Sequence, residues 1–140
     1  QTAVFEGYQG FKHALHDMIA CCPENETLFI MGFSNQDYKE QKLTALLRDI
    51  NKVSARKNHK AKLILDDENN NFYEDRKKDP LFETRVMQNG FRSPAAIDIF
   101  LDYVYILIWD EEPYAIKIKN QKVADGFRYY FNFMWSIAQA

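Results

Sequence analysis

Few side chains in this sequence have the type and spacing to do chemistry. His13 and His16 stand three residues apart, with Asp17 and Cys21 close by, so one helical face could present them together. A zinc centre needs four converging ligands, or three and a water, and no further donor is spaced to complete the set. Two partly exposed helix histidines are the plainer reading. Cys21 and Cys22 are adjacent, which strains a mutual disulfide; they read as one core thiol and one boundary thiol. Asp66-Asp67-Glu68 follows a strand end and could meet a divalent cation, but its spacing is not that of a calcium loop. It reads as a solvated run. Gly7, Gly10, Gly32, Gly90 and Gly126 are scattered, so no phosphate-cradling loop forms. Ser34 lies outside a nucleophile elbow, and all three histidines fall within the first 59 residues, which leaves no Ser/His/Asp triad to argue. The expectation is a protein with no catalytic residues, no metal and no cofactor.

The elements that position these residues follow from hydropathy. Residues 7–22 carry Phe11, Leu15, Met18, Ile19 and Cys22 at helical spacing, and Pro23 ends that helix. Residues 27–31 are an apolar run bounded by turn residues, the pattern of a strand covered on both faces. Gly32 follows, and Phe33, Ser34 and Asn35 lie on the loop at that strand's carboxyl end. A second helix over 37–57 stacks Leu43, Leu46, Leu47, Ile50 and Val53. Its basic end, Arg56 to Lys62, complements a helix dipole and lacks the recognition helix or stacking aromatics of a nucleic-acid face. Residues 62–65 make a second strand. A charged connection then holds a weak helix near 73–78, and residues 83–87 make a third strand before the turn signal Asn89-Gly90. Three strands (96–100, 103–109 and 114–119) joined by tight turns predict an antiparallel meander. The last helix spans 121–138, with Val123, Phe127, Tyr130, Phe131, Met134 and Ala138 as its buried stripe. Parallel pairing in the first half and hairpins in the second predict one α/β domain, a mixed sheet with helices on both faces.

Composition narrows the partners. The 140 residues are 46% hydrophobic and 27% charged, an ordinary globular balance. A net charge of −2 argues against a nucleic-acid face spread over the domain. Two cysteines without other partners suit a reducing compartment. No run approaches the roughly 20 apolar residues of a membrane span, so a cytoplasmic protein without membrane contact is expected.

The stretch Phe91-Arg92-Ser93-Pro94-Ala95-Ala96-Ile97-Asp98-Ile99-Phe100-Leu101-Asp102, running on through Tyr103 to Trp109, is distinctive. Pro113-Tyr114-Ala115-Ile116-Lys117-Ile118 follows it, then Val123-Ala124-Asp125-Gly126-Phe127-Arg128, then Trp135. Together with Val4 to Lys12 near the start, these segments resemble the effector region of TrmB-type transcriptional regulators, mainly archaeal. The likeness is weakest from about 66 to 82. The resemblance implies a phospholipase-D-like fold and a role in transcription regulation. The catalytic members of that fold carry H-x-K-x-x-x-x-D; with Asp102 set on its aspartate, Ala95 takes the histidine's place and Ile97 the lysine's. Such a site has no nucleophile, which implies a degenerate active site and leaves Asp102 as a hairpin turn residue. In these regulators a winged helix-turn-helix precedes the effector region. With about six residues ahead of the first helix, residues 1–140 read as a domain excised from a longer protein. Nucleic-acid contact would then belong to the missing part, and a homodimer is implied.

A ligand of such a domain belongs at the strand carboxyl ends. Phe33, Ser34 and Asn35 are candidates there. Arg85 and Arg92 would donate to an anion or a sugar hydroxyl, Asp98 would accept, and Trp109 would form an apolar wall. The effector expected is a sugar or an anionic metabolite. A dimerisation or protein-interaction module without a small ligand is the alternative, and a divergent phosphodiesterase comes last.

Overall fold

The computed structural model describes residues 1–66, 71–87 and 92–140, with the side chains of residues 71 and 73 left aside. The chain opens on β1 (Thr2–Glu6) and turns at once into α1 (Gly7–Cys21). Gly7 makes that turn at φ +75°, a left-handed conformation in which a Cβ is strained. β2 (Thr27–Met31) leads through a short 3-10 turn (Asp37–Lys39) to α2 (Gln41–Arg56) and β3 (Lys60–Leu65). α3 (Asn71–Lys77) and β4 (Phe82–Val86) follow. Then come the meander strands β5 (Ala96–Phe100), β6 (Tyr103–Ile108) and β7 (Tyr114–Lys119), and α4 (Gln121–Ile137) closes the domain.

Among the described residues seven strands join one sheet in the order β1-β7-β6-β5-β2-β3-β4. β2, β3 and β4 run parallel because α2 and α3 carry the chain back between them; the other pairs are antiparallel. Two residues, Leu101 and Asp102, turn β5 into β6, with Leu101 at φ +49°. Side chains alternate across the sheet. Leu28, Leu63, Leu65, Ala96, Phe100, Tyr105 and Leu107 pack under α1 and α2. Ile64, Ile99 and Val104 pack under α4, where Phe131 and Trp135 meet them. The single α/β domain with helices on both faces is therefore what the chain forms. No helix among the described residues is long and apolar enough to cross a membrane.

β1 is an element that hydropathy did not foresee. Four of its five residues are exposed, so burial leaves no pattern to read; its place is set by backbone pairing with β7, Thr2 opposite Ile118 and Glu6 opposite Tyr114. The α4 stripe is also rotated. Tyr130 is exposed, while Trp135 is buried and stacks on Phe131 at 5.7 Å. Tyr130 precedes Phe131 by one residue, about 100° around the helix, which takes it out of the contact. Asn120 starts α4 by accepting from the Val123 N–H at 3.0 Å.

The basic end of α2 is tied down. Lys57 Nζ donates to the carbonyls of Ile19 (2.8 Å) and Ala20 (3.3 Å), so it caps the C-terminus of α1. His59 is fully buried between Ser54 Oγ at 2.9 Å and the carbonyls of Cys22 and Pro23 at 3.1 and 3.0 Å. Much of this run pins one helix to the next. Asp67 and Glu68, of the acidic run read above as solvated, and the Asn89-Gly90 turn lie outside the described residues.

Candidate functional site

Between α1, α2 and the sheet lies a cavity of roughly 50 Å³, walled by Leu15, Ile50, Leu63 and Leu107 among other apolar side chains. At the ~15 Å³ needed per water, that is room for about three water molecules or a guest of similar size. Two polar groups in its wall stand out. Asp98 projects from the middle of β5, is 6% exposed, and its carboxyl has no hydrogen-bond partner among the described residues. Asn51, on α2, presents a buried Nδ2 that is likewise without one. Burial without compensation pushes the Asp98 carboxyl up to about 7. Buried polar groups are nearly always paired; Asn51 Nδ2 is an exception, and it lines the same cavity as the Asp98 carboxyl.

The loop after β2 forms one end of this cavity. Tyr38 accepts the Phe33 N–H at 2.9 Å and stacks on Phe72 at 4.5 Å, and burial pushes its phenol well above the ordinary range. Gly32 permits this closeness, because a Cβ there would sit 2.6 Å from Tyr38 Oη and 2.8 Å from Leu65 Cδ2. Tyr38→Phe should therefore cost about 1–3 kcal/mol, the penalty for orphaning a buried N–H, as read from a urea unfolding midpoint. An unchanged midpoint would show that the Phe33 amide finds another acceptor.

Outside Tyr38 the loop is acidic. Asp66 accepts from the Asn35 N–H at 3.0 Å and from the Ser93 N–H at 3.4 Å, joining the segments after β2 and before β5. Ser34 Oγ accepts from the Asp37 N–H at 3.1 Å. Burial raises the Asp37 carboxyl, the Ser34 bond opposes it, and Asp66, Glu40 and Asp110 add repulsion.

The seven residues singled out from sequence divide. Phe33 is buried against Phe11 and Tyr38 and lines the cavity with Asp98. Ser34 and Asn35 lie on the same loop. Trp109 packs edge-on against Phe11 at 5.3 Å and Tyr8 at 6.2 Å, continuing that aromatic cluster. Arg85 is elsewhere. It pairs in register with Ile64, on the α4 face, opposite to Asp98. Its Nη1 donates to the Trp135 carbonyl at 2.8 Å and its guanidinium lies 4.4 Å over the Trp135 ring. Arg92 is exposed and shows no link to the cavity.

Sequence reasoning missed Tyr38 and Asn51. Asn51 carried a signal, since Leu47, Asn51 and Ser54 recur at helical spacing and put a polar residue into an apolar stripe. It also missed the tie beneath α1, where Asp17 accepts from Tyr105 Oη at 2.7 Å and Lys117 Nζ at 2.8 Å. Burial alone would raise Asp17, but these two bonds hold it below the ordinary value. Cys21 lies beside that pair and Cys22 is buried, a boundary thiol and a core thiol. His13 and His16 are exposed. Ala95 precedes β5, Ile97 faces α4, and Asp102 sits in the hairpin turn.

No protein-family model matches the chain, and no curated protein matches its sequence. Solved structures do. TrmBL2, described as an archaeal chromatin protein with a novel mode of DNA binding, matches 99% of the chain at 17% identity and TM-score 0.67. The chain spans about half of TrmBL2, 54% of its length. NucT from Helicobacter pylori matches the whole chain at 13% identity and TM-score 0.72, over 98% of its own length. Nuc from Salmonella typhimurium, a phospholipase D family member, matches 99% of the chain at 13% identity and TM-score 0.65, over 96% of its length. These neighbours correct one expectation. A chain whose fold coincides end to end with NucT and with a phospholipase D family member cannot be set aside as a non-enzyme because Ala95 and Ile97 fall on two motif positions. What the likeness establishes is the architecture: this chain has the phospholipase-D-like fold.

Proposed function

We propose that this chain is the effector-binding domain of a transcription regulator, and that a compact molecule with an N–H or O–H donor docks in the cavity on Asp98. The observation that carries this reading is the buried Asp98 carboxyl, unpartnered among the described residues, in the wall of an otherwise apolar cavity. A donor head group would satisfy Asp98, a lone pair on the same ligand would accept from Asn51 Nδ2, and a short apolar body would contact Leu15 and Leu63. The acidic loop of Asp37 and Asp66 favours a neutral or cationic guest over an anionic one. The regulatory part of the reading is supported by the likeness to TrmBL2, which is described as an archaeal chromatin protein with a novel mode of DNA binding.

Thermal denaturation in the presence of short primary amines and short diols tests it. Binding to the folded state alone raises the transition temperature with ligand concentration. The expected result is a rise of a few degrees with at least one of these probes, absent in Asp98→Leu and in Asn51→Leu. An equal rise in both variants, or none with any probe in the parent protein, would sink the assignment.

A further inference from the structure

The cavity that holds Asp98 meets a second polar group at its far end. Asp98, Ile30, Leu63 and Thr84 stand in register on four neighbouring strands, so their side chains share one face of the sheet. Ile30 and Leu63 form an apolar floor between the two polar residues. Thr84 Oγ1 is buried without a hydrogen-bond partner among the described residues, and so is Arg76 Nε on α3. The Arg76 guanidinium lies 5.2 Å over the Phe72 ring and 4.8 Å over the Phe82 ring. Both rings line the cavity with Asn51, whose Nδ2 is the third such atom. Thr84 follows Phe82 by two residues on β4 and shares its face. An amide N–H, a guanidinium N–H and a hydroxyl therefore gather where α2, α3 and β4 meet. All three can donate.

We infer that the guest of this cavity is a short ω-amino acid, an extension that rests on the Asp98 reading above. Its ammonium meets the Asp98 carboxylate, and its carboxylate accepts from Asn51 Nδ2, Arg76 Nε and Thr84 Oγ1. The donors set this chemistry. An ammonium has no lone pair, so an amine alone leaves all three of them unpaired. A carboxylate brings about four lone-pair sites and a charge to face the guanidinium. Burial pulls that guanidinium below its ordinary value, against Asp79 and Asp75, which hold it up. Arg76 Nη1 already faces Asp79 at 3.8 Å, which leaves Nε for the guest. Register decides where the two charges sit. Strands about 4.8 Å apart put the Thr84 backbone about 14 Å from that of Asp98. An α-amino acid carries both charges on one carbon and does not reach from end to end. A few methylenes laid along Ile30 and Leu63 do, once the side chains at each end close part of the gap. The volume of roughly 50 Å³ keeps that chain short. A zwitterion also has no net charge, which suits the acidic loop of Asp37 and Asp66.

Isothermal titration calorimetry at about pH 8, where Asp98 is ionised, compares γ-aminobutyrate with butylamine and butyrate. γ-Aminobutyrate should bind at least ~10-fold tighter than butylamine, the gain expected of buried charge-assisted hydrogen bonds. In Arg76→Met the ratio between the two should fall to about one, because methionine fills the space against Phe72 and Phe82 without an N–H. Thr84→Val removes only the hydroxyl; it is the second variant should Arg76→Met not fold, and should cut the ratio at least ~3-fold. Circular dichroism shows that each variant is folded. A ratio near one in the parent protein, with both compounds bound, would overturn this inference and leave the Asp98 reading standing. So would a preference that survives in both variants, since the carboxylate would then sit elsewhere. Butyrate binding tighter than either amine would overturn both readings. A parent protein that takes up none of the three would overturn this inference, and the short diols then decide the Asp98 reading.

Discussion

Asp98→Asn should make this protein more stable at pH 8 by about 2–4 kcal/mol while changing it little at pH 4. The carboxyl is buried in β5, without a hydrogen bond from any described residue, and burial lifts it from 3.8 to about 7. Between those values the unfolded chain has released a proton that the folded one still holds. Stability is therefore highest below pH 4 as far as this group is concerned, falls as pH rises towards 7, and stays low above it. The rise from 3.8 to about 7 corresponds to roughly 4 kcal/mol as an upper figure, and water entering the cavity lowers it. Asparagine keeps the shape and loses the charge, so the difference between variant and parent should open across that window. Cys22 and Tyr38, the nearby titratable groups, are pushed upward by burial and remain neutral throughout it. Asp37 is raised as well and adds slope of the same sign to both proteins, so the comparison is made on the difference. Urea unfolding at pH 4 and pH 8 reads it. Equal stabilities at both values would mean that Asp98 is hydrated or paired.

The architecture was open to a reading of hydropathy because most elements announce themselves by burial. β2 and β3 are short apolar runs covered on both faces, and α1 repeats Phe11, Leu15, Met18 and Ile19 at helical spacing. β1 announces nothing, since an edge strand with four exposed residues is specified by its partner β7 rather than by its own composition. Tyr130 and Trp135 show a second limit. Both are large amphipathic rings near the edge of the α4 stripe, and which one turns inward depends on Phe131 meeting Phe29 at 5.4 Å.

Of the three loop residues chosen by the rule that ligands gather at strand carboxyl ends, Phe33 lines the cavity, while Ser34 and Asn35 follow it on the same loop. Arg85 and Asp98 were chosen by residue type, as donor and acceptor, yet the face each occupies is assigned only by register. The pairing of Arg85 with Ile64 turns it towards Trp135, while Asp98 turns towards α1 and α2. Asn51 stands on an apolar helix stripe, a signal carried by its spacing from Leu47 and Ser54 and not by composition. The exclusion of enzymatic activity failed for a related reason. It rested on motif residues sought along the sequence, with Ala95 and Ile97 at two motif positions and no histidine beyond residue 59, whereas a catalytic site depends on which side chains the whole fold brings together, and this fold is shared with a phospholipase D family member.

Phe131→Ala and Phe133→Ala, two residues apart on α4, should separate the core face of that helix from its outward face. Phe131 is fully buried, meeting Phe29 edge-on at 5.4 Å and stacking on Trp135 at 5.7 Å, above Ile64, Ile99 and Val104. Its truncation removes a large apolar side chain and leaves a cavity that the sheet beneath cannot collapse to fill. The expected cost is about 3–5 kcal/mol, a large share of the 5–15 kcal/mol that typically holds a domain together. Arg85 then matters too, because its guanidinium lies on Trp135 and bonds the carbonyl of that same turn. Loosening α4 frees both contacts. Phe133 points the other way and is 63% exposed, so its truncation should change the stability of the monomer by less than about 0.5 kcal/mol. Urea unfolding at a concentration too low for self-association gives both numbers. If Phe133→Ala cost as much as Phe131→Ala there, the outward face of α4 would be part of the domain core.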